Sequence, residues 1–144
     1  MHTGIEFAKK LSAAYSALCK PLCRGLKLPQ TAFDILMFLA NNPEYTTARD
    51  IVEIRKLKAN LVSVNVDRLV AEGYLSRQED ERDRRKTHLL CTSKAASVIQ
   101  KGHLLQQQFV EKLFTGMDES TKLLFLNSMK QMEHNLDHIL KNEV

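Results

Sequence analysis

Asp80-Glu81-Arg82-Asp83-Arg84-Arg85-Lys86 is the stretch that decides how this chain reads. Four cations and three anions fill seven consecutive positions. A short strand-like segment lies on each side, Tyr74-Leu75-Ser76-Arg77-Gln78 before it and Thr87-His88-Leu89-Leu90-Cys91-Thr92 after it. Two short strands around a polar tip predict a β-hairpin. A guanidinium at such a tip suits the narrow minor groove of a duplex, where negative potential is focused. The interleaved carboxylates also have a place in this reading. Asp83 can hold a neighbouring arginine extended through a charge-assisted pair. Charge runs are commonly no more than solvated tips, so the upstream sequence has to decide.

Upstream, Thr47-Ala48-Arg49-Asp50 has the form of a capping box, a hydroxyl followed three residues later by a carboxylate. It opens a short helix carrying Ile51, Val52 and Ile54. A break near Lys56 leads to a second helix over about residues 58–72, with Val62, Val66, Leu69 and Val70 facing inward and Gly73 at its end, where a left-handed residue is favoured. Helix, tight turn, helix and hairpin is the order of a helix-turn-helix followed by a wing. In such a unit the second helix probes the major groove with its leading residues. Here those are Lys58, Ala59, Asn60, Leu61, Ser63 and Val64. Lys58 suits a guanine edge or a phosphate, and Asn60 carries the donor and acceptor pair that reads adenine. Ser63 suits base edges or backbone, while Leu61 and Val64 suit thymine methyl groups. Arg68, one turn further on, is better placed for phosphate. No carboxylate precedes Asp67 on this helix, so its leading half does not repel a polyanion.

The rest of the chain frames this unit. With 144 residues, 44% hydrophobic and 26% charged, it has the size and composition of one globular domain. Five glycines and three prolines favour a helix-rich protein with short connections. A net charge of +4 fits a polyanionic partner without requiring one. No apolar run approaches the roughly 18 residues of a membrane span. Residues 1–7 lack a basic segment followed by an apolar one, so no secretory signal is expected. Three cysteines are too few for a disulfide framework and point to a reducing cytoplasm.

Phe7, Leu11, Ala14, Leu18 and Leu22 predict a first helix over about residues 3–23, closed by Gly25. The apolar run Phe33 to Leu39 predicts a buried helix over about 29–41, ended by Asn41-Asn42-Pro43. Two long helices follow the hairpin, one over about 93–115 and one opening at an Asp118 cap. The last carries Phe125, Met129, Met132, Leu136 and Ile139 at alternating steps of four and three. That seam suits another helix, from this chain or from a second copy of it. The fold class is therefore α+β, mainly α-helical, with four helices, two strands and two helices in order.

The segment from Leu57 to Leu69, its exit through Glu72-Gly73-Tyr74-Leu75 and Arg77, and the tip Asp80-Glu81-Arg82-Asp83-Arg84-Arg85 together resemble the MarR family of bacterial transcriptional regulators. Leu89-Leu90-Cys91-Thr92 sits where that family has its last wing strand and the threonine opening the next helix. The motifs are specific between about residues 47 and 95 and only patterned elsewhere. The resemblance implies one domain over 1–144. Its winged helix-turn-helix lobe spans 29–92, and its dimerisation helices lie at 1–28 and 93–144. It implies a homodimer that binds double-stranded DNA at a pseudo-palindromic operator, acting as a repressor responsive to a ligand or to redox chemistry. Arg85 becomes the minor-groove arginine with Asp83 orienting it, while Arg82 and Arg84 become phosphate or groove contacts. Three departures stand out. Pro29 replaces a frequent threonine cap, Ala95 a common glycine, and Asn65 a usual apolar residue. A buried Asn65 needs a hydrogen-bond partner or it costs about 1–3 kcal/mol; an Asn65 facing DNA means a rotated helix.

Relatives respond to a small, often aromatic or phenolic, ligand held between the dimerisation helices and the DNA-binding lobe. Tyr15, Cys19, Phe33, Met37 and Leu104 are the residues expected to border such a space, with a filled core as the competing reading. Cys19 and Cys23, one turn apart in the first helix beside Lys20 and Arg24, are candidates for a thiol switch if they are exposed. A direct bond between them is awkward within an intact helix. His134 and His138 have a metal-compatible spacing but no carboxylate on their face, so no metal or cofactor is expected. The chain has no phosphate-binding glycine loop and no nucleophile-elbow motif, and is not expected to be an enzyme. The alternative from another class is a winged-helix module that binds protein instead of DNA.

Overall fold

The structure, a computed structural model, describes residues 2–142 and the side chains of residues 4–142. Helix α1 spans His2–Leu26, α2 Gln30–Asn41, α3 Ala48–Arg55 and α4 Ala59–Ala71. Strands β1 (Leu75–Glu79) and β2 (Thr87–Cys91) follow, then α5 (Ala95–Leu113) and α6 (Glu119–Asn142). Two compact units emerge, residues 1–107 and 108–144.

In the first unit the core is built on α2. Ala32, Phe33, Ile35, Leu36, Met37, Phe38 and Leu39 are all buried, which accounts for a helix apolar on nearly every face. Pro29 stands at its N-cap in an extended conformation without a side-chain cap, so the helix starts at Gln30, one residue later than its sequence suggests. At its far end, Asn42 Nδ2 donates to the Phe38 carbonyl at 2.9 Å. Ile51, Val62, Leu69, Leu75 and Leu89 bring α3, α4 and the hairpin onto the same core.

Two details of α1 differ from the sequence reading. The helix does not stop at Gly25. It runs through Pro21 and Gly25 to Leu26, and Lys27 takes the left-handed conformation at φ 57°. The Leu28 N–H then reaches back to the Cys23 carbonyl at 3.1 Å, closing the end with the long-range bond of a Schellman motif. The inward face also differs. Cys19 and Cys23 are buried with Tyr15, Leu18, Leu22 and Leu26 packed beside them, whereas Phe7 and Ala14 of the expected stripe are exposed. Spacing alone does not fix which side of an apolar helix meets its partner.

The remaining elements close as their residues dictate. Thr47 and Asp50 form the complete capping box of α3, and Lys56 ends that helix at φ 55°. Gly73, at φ 86°, ends α4, with Tyr74 N–H bonded to the Leu69 carbonyl at 2.8 Å. The hairpin is antiparallel, pairing Leu75 with Cys91 and Glu79 with Thr87, so residues 80–86 form the tip. The Leu89 N–H is taken by the Thr46 carbonyl at 2.7 Å, which attaches the α2–α3 connection to the free edge of β2. On α5, Ala95, Val98, Gly102 and Leu105 face the core. Gly102 gives close approach there: a Cβ at this position would stand 2.4 Å from Met37 Sδ and 3.2 Å from Phe33 Cζ.

The second unit contains the end of α5, a turn through Gly116 at φ 84°, and α6. Asp118 caps α6 as expected, its Oδ1 accepting from Thr121 N at 2.8 Å. Phe114 meets Phe125 edge-on at 5.7 Å. None of the described α6 residues is buried.

Candidate nucleic-acid interface

The leading half of α4 stands clear of the core. Val62, Asn65, Val66 and Leu69 turn inward, leaving Lys58, Ala59, Asn60, Leu61, Ser63 and Val64 exposed along one side. Leu61 and Val64 are large apolar groups left in water within the unit. Asn60 Oδ1 accepts from the Leu61 N–H at 2.9 Å, so a base that engages this oxygen must replace that bond. Asn65 is 5% exposed and its Nδ2 donates to the Leu61 carbonyl at 2.8 Å. The first of the two alternatives for Asn65 therefore holds: it is buried and satisfied within its own helix turn, and α4 needs no rotation to accommodate it.

Two charged groups on α4 have intramolecular partners. Asp67, the first carboxylate of the helix, is paired with Arg77 of β1, which neutralises it. Arg68, expected to face phosphate, has intramolecular partners. Its Nη2 donates to the Lys27 carbonyl at 2.9 Å and its Nε lies 3.5 Å from Glu72, so it ties the end of α4 to the α1–α2 connection. The Lys27 carbonyl is presented by the left-handed turn described above.

The wing tip is held by its two aspartates. Asp80 Oδ1 accepts from the N–H groups of Arg82 (2.8 Å) and Asp83 (3.0 Å). Asp83 Oδ1 in turn accepts from the Arg85 N–H (3.0 Å) and from Arg85 Nε (3.2 Å). The Arg85 side chain is 93% exposed even while held in this pair. Arg82 and Arg84 are exposed beside it. The His88 imidazole, followed by the N–H groups of Arg82 and Asp83, holds the Asp80 carboxyl down at about 2. Asp80 is therefore a fixed acceptor at any physiological pH.

The helix and the wing border common ground. One cleft of about 350 Å³ is walled by Ala59, Ser63 and Val66 of α4 and by Arg77 and Thr87 of the hairpin. A second, of about 490 Å³, lies between the start of α3 and Asp83, Arg85 and Lys86 of the wing. Ala48, Arg49 and Thr87 line both. Arg49 and Lys86 add two cations that sequence reasoning did not select. Charge was their only signal, and it does not distinguish them from other surface lysines and arginines.

The ligand candidates separate. A polar cavity of about 320 Å³ is lined by Tyr15, Asp34, Met37, Asn41, Arg55 and Gln106, among others. Tyr15 and Met37 thus border a space, while Cys19 and Phe33 are core residues with no exposed surface. Leu104 is 56% exposed and does not line the cavity, because the inward face of α5 carries Gly102 and Leu105 instead. Burial pushes the Tyr15 hydroxyl up to about 12, so it stays protonated; it accepts from Gln106 Nε2 at 3.2 Å. Burial also raises Asp34, against the opposing effects of Arg55 and of the Gln30 amide.

The exposure required of a thiol switch is not met. Cys19 is fully buried and Cys23 is 6% exposed. Burial raises both thiols, Cys23 to about 11, so neither offers a thiolate at neutral pH. The His134 and His138 rings stack edge-on at 5.2 Å, and His103 Nε2 bonds Asn41 Oδ1 at 2.7 Å. Among the described residues, no group of three or more metal-binding side chains converges.

A probing helix packed on a capped helix and followed by an antiparallel arginine-tipped hairpin defines a winged helix-turn-helix. Residues 25–86 match the model of the MarR family. The whole fold is that of MarR-type transcriptional regulators. A MarR transcriptional regulator from Methanosarcina mazei Go1 superposes with a TM-score of 0.81 at 20% identity, covering 96% of this chain and 99% of that one. The transcriptional regulator PA3341 does so with a TM-score of 0.78 at 26% identity, covering 94% and 98%. A MarR family regulator from Listeria monocytogenes, complexed with a 26mer DNA, gives 0.79 at 14% identity over 92% and 87%. No curated protein matches the chain in sequence.

Proposed function

We propose that this protein is a sequence-specific DNA-binding transcriptional regulator, not an enzyme, and that it represses by occupying a promoter as a homodimer. One observation carries the reading: Arg85 is pinned by Asp83 yet almost wholly exposed, at the tip of a hairpin that walls one cleft with α4 and a second with the start of α3. A cation held extended in advance loses little conformational freedom on entering a groove. In this reading Lys58, Asn60 and Ser63 meet base edges, Leu61 and Val64 meet thymine methyls, and Ala59 allows close approach. Arg82, Arg84, Arg49 and Lys86 serve the phosphates flanking the Arg85 groove. The domain spans the chain, with its DNA-binding lobe at 29–92 and dimerisation helices at 1–28 and 93–144.

Dimerisation is supported by apolar side chains left in water. Phe125, Met129, Met132, Leu136 and Ile139 are all exposed, as are Ile5 and Phe7 of α1. Two copies place two recognition helices on one face of a duplex, with half-sites about 34–36 Å apart. The polar cavity beside Tyr15 is where a small ligand would act, altering the separation of those helices. The protein belongs in the cytoplasm on this reading. Its three cysteines are unbridged, and among the described residues no helix is long and apolar enough to cross a membrane.

Equilibrium titration on duplex DNA at several salt concentrations tests the proposal. A regulator of this type loses affinity linearly in log–log form as salt rises, with a slope set by the phosphates neutralised. It also prefers one sequence from a random pool by a factor of about 10³ or more. Weak binding with a flat salt response would instead mark a module that binds protein.

A further inference from the structure

We propose that His88 is a positioning residue for the arginine finger, a strut that ties the wing to the cap of α3. The proposal rests on the DNA-binding reading above and concerns how the finger is aimed. His88 sits on β2, opposite Gln78. Both of its ring nitrogens are engaged, and by different parts of the fold. Nε2 lies 2.7 Å from Asp80 Oδ2 at the base of the wing tip. Nδ1 lies 2.7 Å from Thr46 Oγ1 in the α2–α3 connection.

Each end of this strut leads to something the interface needs. Asp80 uses its other oxygen to gather the Arg82 and Asp83 N–H groups, and Asp83 holds Arg85. Thr46 donates its own N–H to Asp50 Oδ2 at 3.0 Å, and Asp50 is the capping carboxylate of α3. A continuous line of hydrogen bonds thus runs from the α3 cap through Thr46, His88, Asp80 and Asp83 to Arg85. Asp80 is ionised and accepts only, so Nε2 carries the proton and, in the neutral ring, Nδ1 accepts from the Thr46 hydroxyl. Imidazole is suited to the task because it presents a donor and an acceptor on opposite sides of one rigid ring. His88 and Asp80 are 29% and 25% exposed, so water competes for these bonds less than it does at the open tip. Without the strut, the tip loses its side-chain tie to the α2–α3 connection, and the Leu89–Thr46 backbone bond lower on β2 remains.

The test uses the full chain and a duplex selected from random DNA. His88→Leu removes both bonds. Thr46→Val cuts only the far one. His88→Gln keeps a donor for Asp80. We expect His88→Leu to weaken binding roughly tenfold on every sequence, leaving the base preference under α4 intact. Thr46→Val should weaken binding less, and His88→Gln should recover part of the loss. In an Arg85→Ala background, His88→Leu should have no further effect, because a residue acting through the finger is silent once the finger is gone. Amide exchange of Arg82 and Asp83 should quicken in His88→Leu while exchange in α4 does not change. Wild-type affinity in His88→Leu, or a loss that adds fully to that of Arg85→Ala, would overturn the proposal. If the wild-type protein binds no duplex, the functional reading fails instead; exchange at Arg82 and Asp83 then still decides whether the strut exists. A His88→Leu chain that does not fold leaves Thr46→Val to make the same comparison.

Discussion

In the proposed complex Arg85 and Asn60 interrogate a duplex in different ways. There Arg85 is held where electrostatic potential, not base identity, decides its contact. Arg85→Ala should weaken binding to every sequence by a similar factor, about tenfold for a contact of about 1.4 kcal/mol. Asn60→Ala should change which sequences are preferred, at a cost of about 1–3 kcal/mol at the base it reads. Parallel selections with the two variants separate these outcomes, and equal loss on all sequences for both would refute the division. Asp34 bears on stability. Its carboxyl titrates above the ordinary 3.8 because burial outweighs the help of Arg55 and Gln30. The folded state thus binds this proton more tightly than the unfolded chain does. Asp34 therefore lowers stability progressively as pH rises from the ordinary carboxylate range through its raised value. Asp34→Asn should melt higher than the wild type at pH 7 and lose that advantage near pH 3. Melting curves showing no gain at neutral pH would contradict the assignment.

Among the elements, α5 approaches α2 closely at Gly102. Gly102 lets the α5 backbone approach Met37 and Phe33, at the expense of a helix residue worth about 1 kcal/mol less than alanine. Gly102→Ala should gain that propensity but crowd the Met37 thioether, for a net loss of about 1 kcal/mol. In a Met37→Ala background the tightest contact is gone and only the Phe33 ring, at 3.2 Å, has to give slightly, so the same substitution should stabilise. Chemical denaturation of the four proteins reads the reversal of sign directly; additivity would show that the Met37 side chain simply swings aside. The hairpin behaves differently. Its strands are short, and its edge is attached to the α2–α3 connection through Thr46, so the order of the wing is borrowed from the helix-turn-helix beside it.

For the molecule as a whole, α6 presents the main uncovered apolar surface among the described residues. A 24-residue helix with no buried residue in its own unit is not stable by propensity alone. Its exposed apolar residues extend beyond the expected seam to Leu123, Leu124, Leu126 and Leu140, more than one partner helix face would need. A second copy of the chain covers such a surface in the proposed dimer. Leu136→Lys should shift sedimentation toward the monomer and weaken operator binding, since a single lobe loses the second half-site. Fluorescence and circular dichroism of the first unit should change little. A dimer that persists unchanged with charge at position 136 would place the interface elsewhere.

The sequence by itself determined whatever rests on neighbours within a few residues. The capping box at Thr47 and Asp50, the glycine stop at Gly73, the Asp118 cap, the hairpin limits and the pairing of Asp83 with Arg85 are all contacts across two to four positions or backbone preferences of one residue. Their geometry follows once the chain is locally helical or turned. The tertiary structure decided everything that depends on partners distant in the chain. Arg68 is drawn to a carbonyl 41 residues away, and His88 to a hydroxyl 42 residues away. Both thiols of α1 are sealed into the core, although their spacing is equally compatible with exposure. Leu104 turns outward because the inward face of α5 carries Gly102, against α2, and the buried Leu105. Periodicity names the faces of a helix, but only packing against a particular neighbour selects which face is buried.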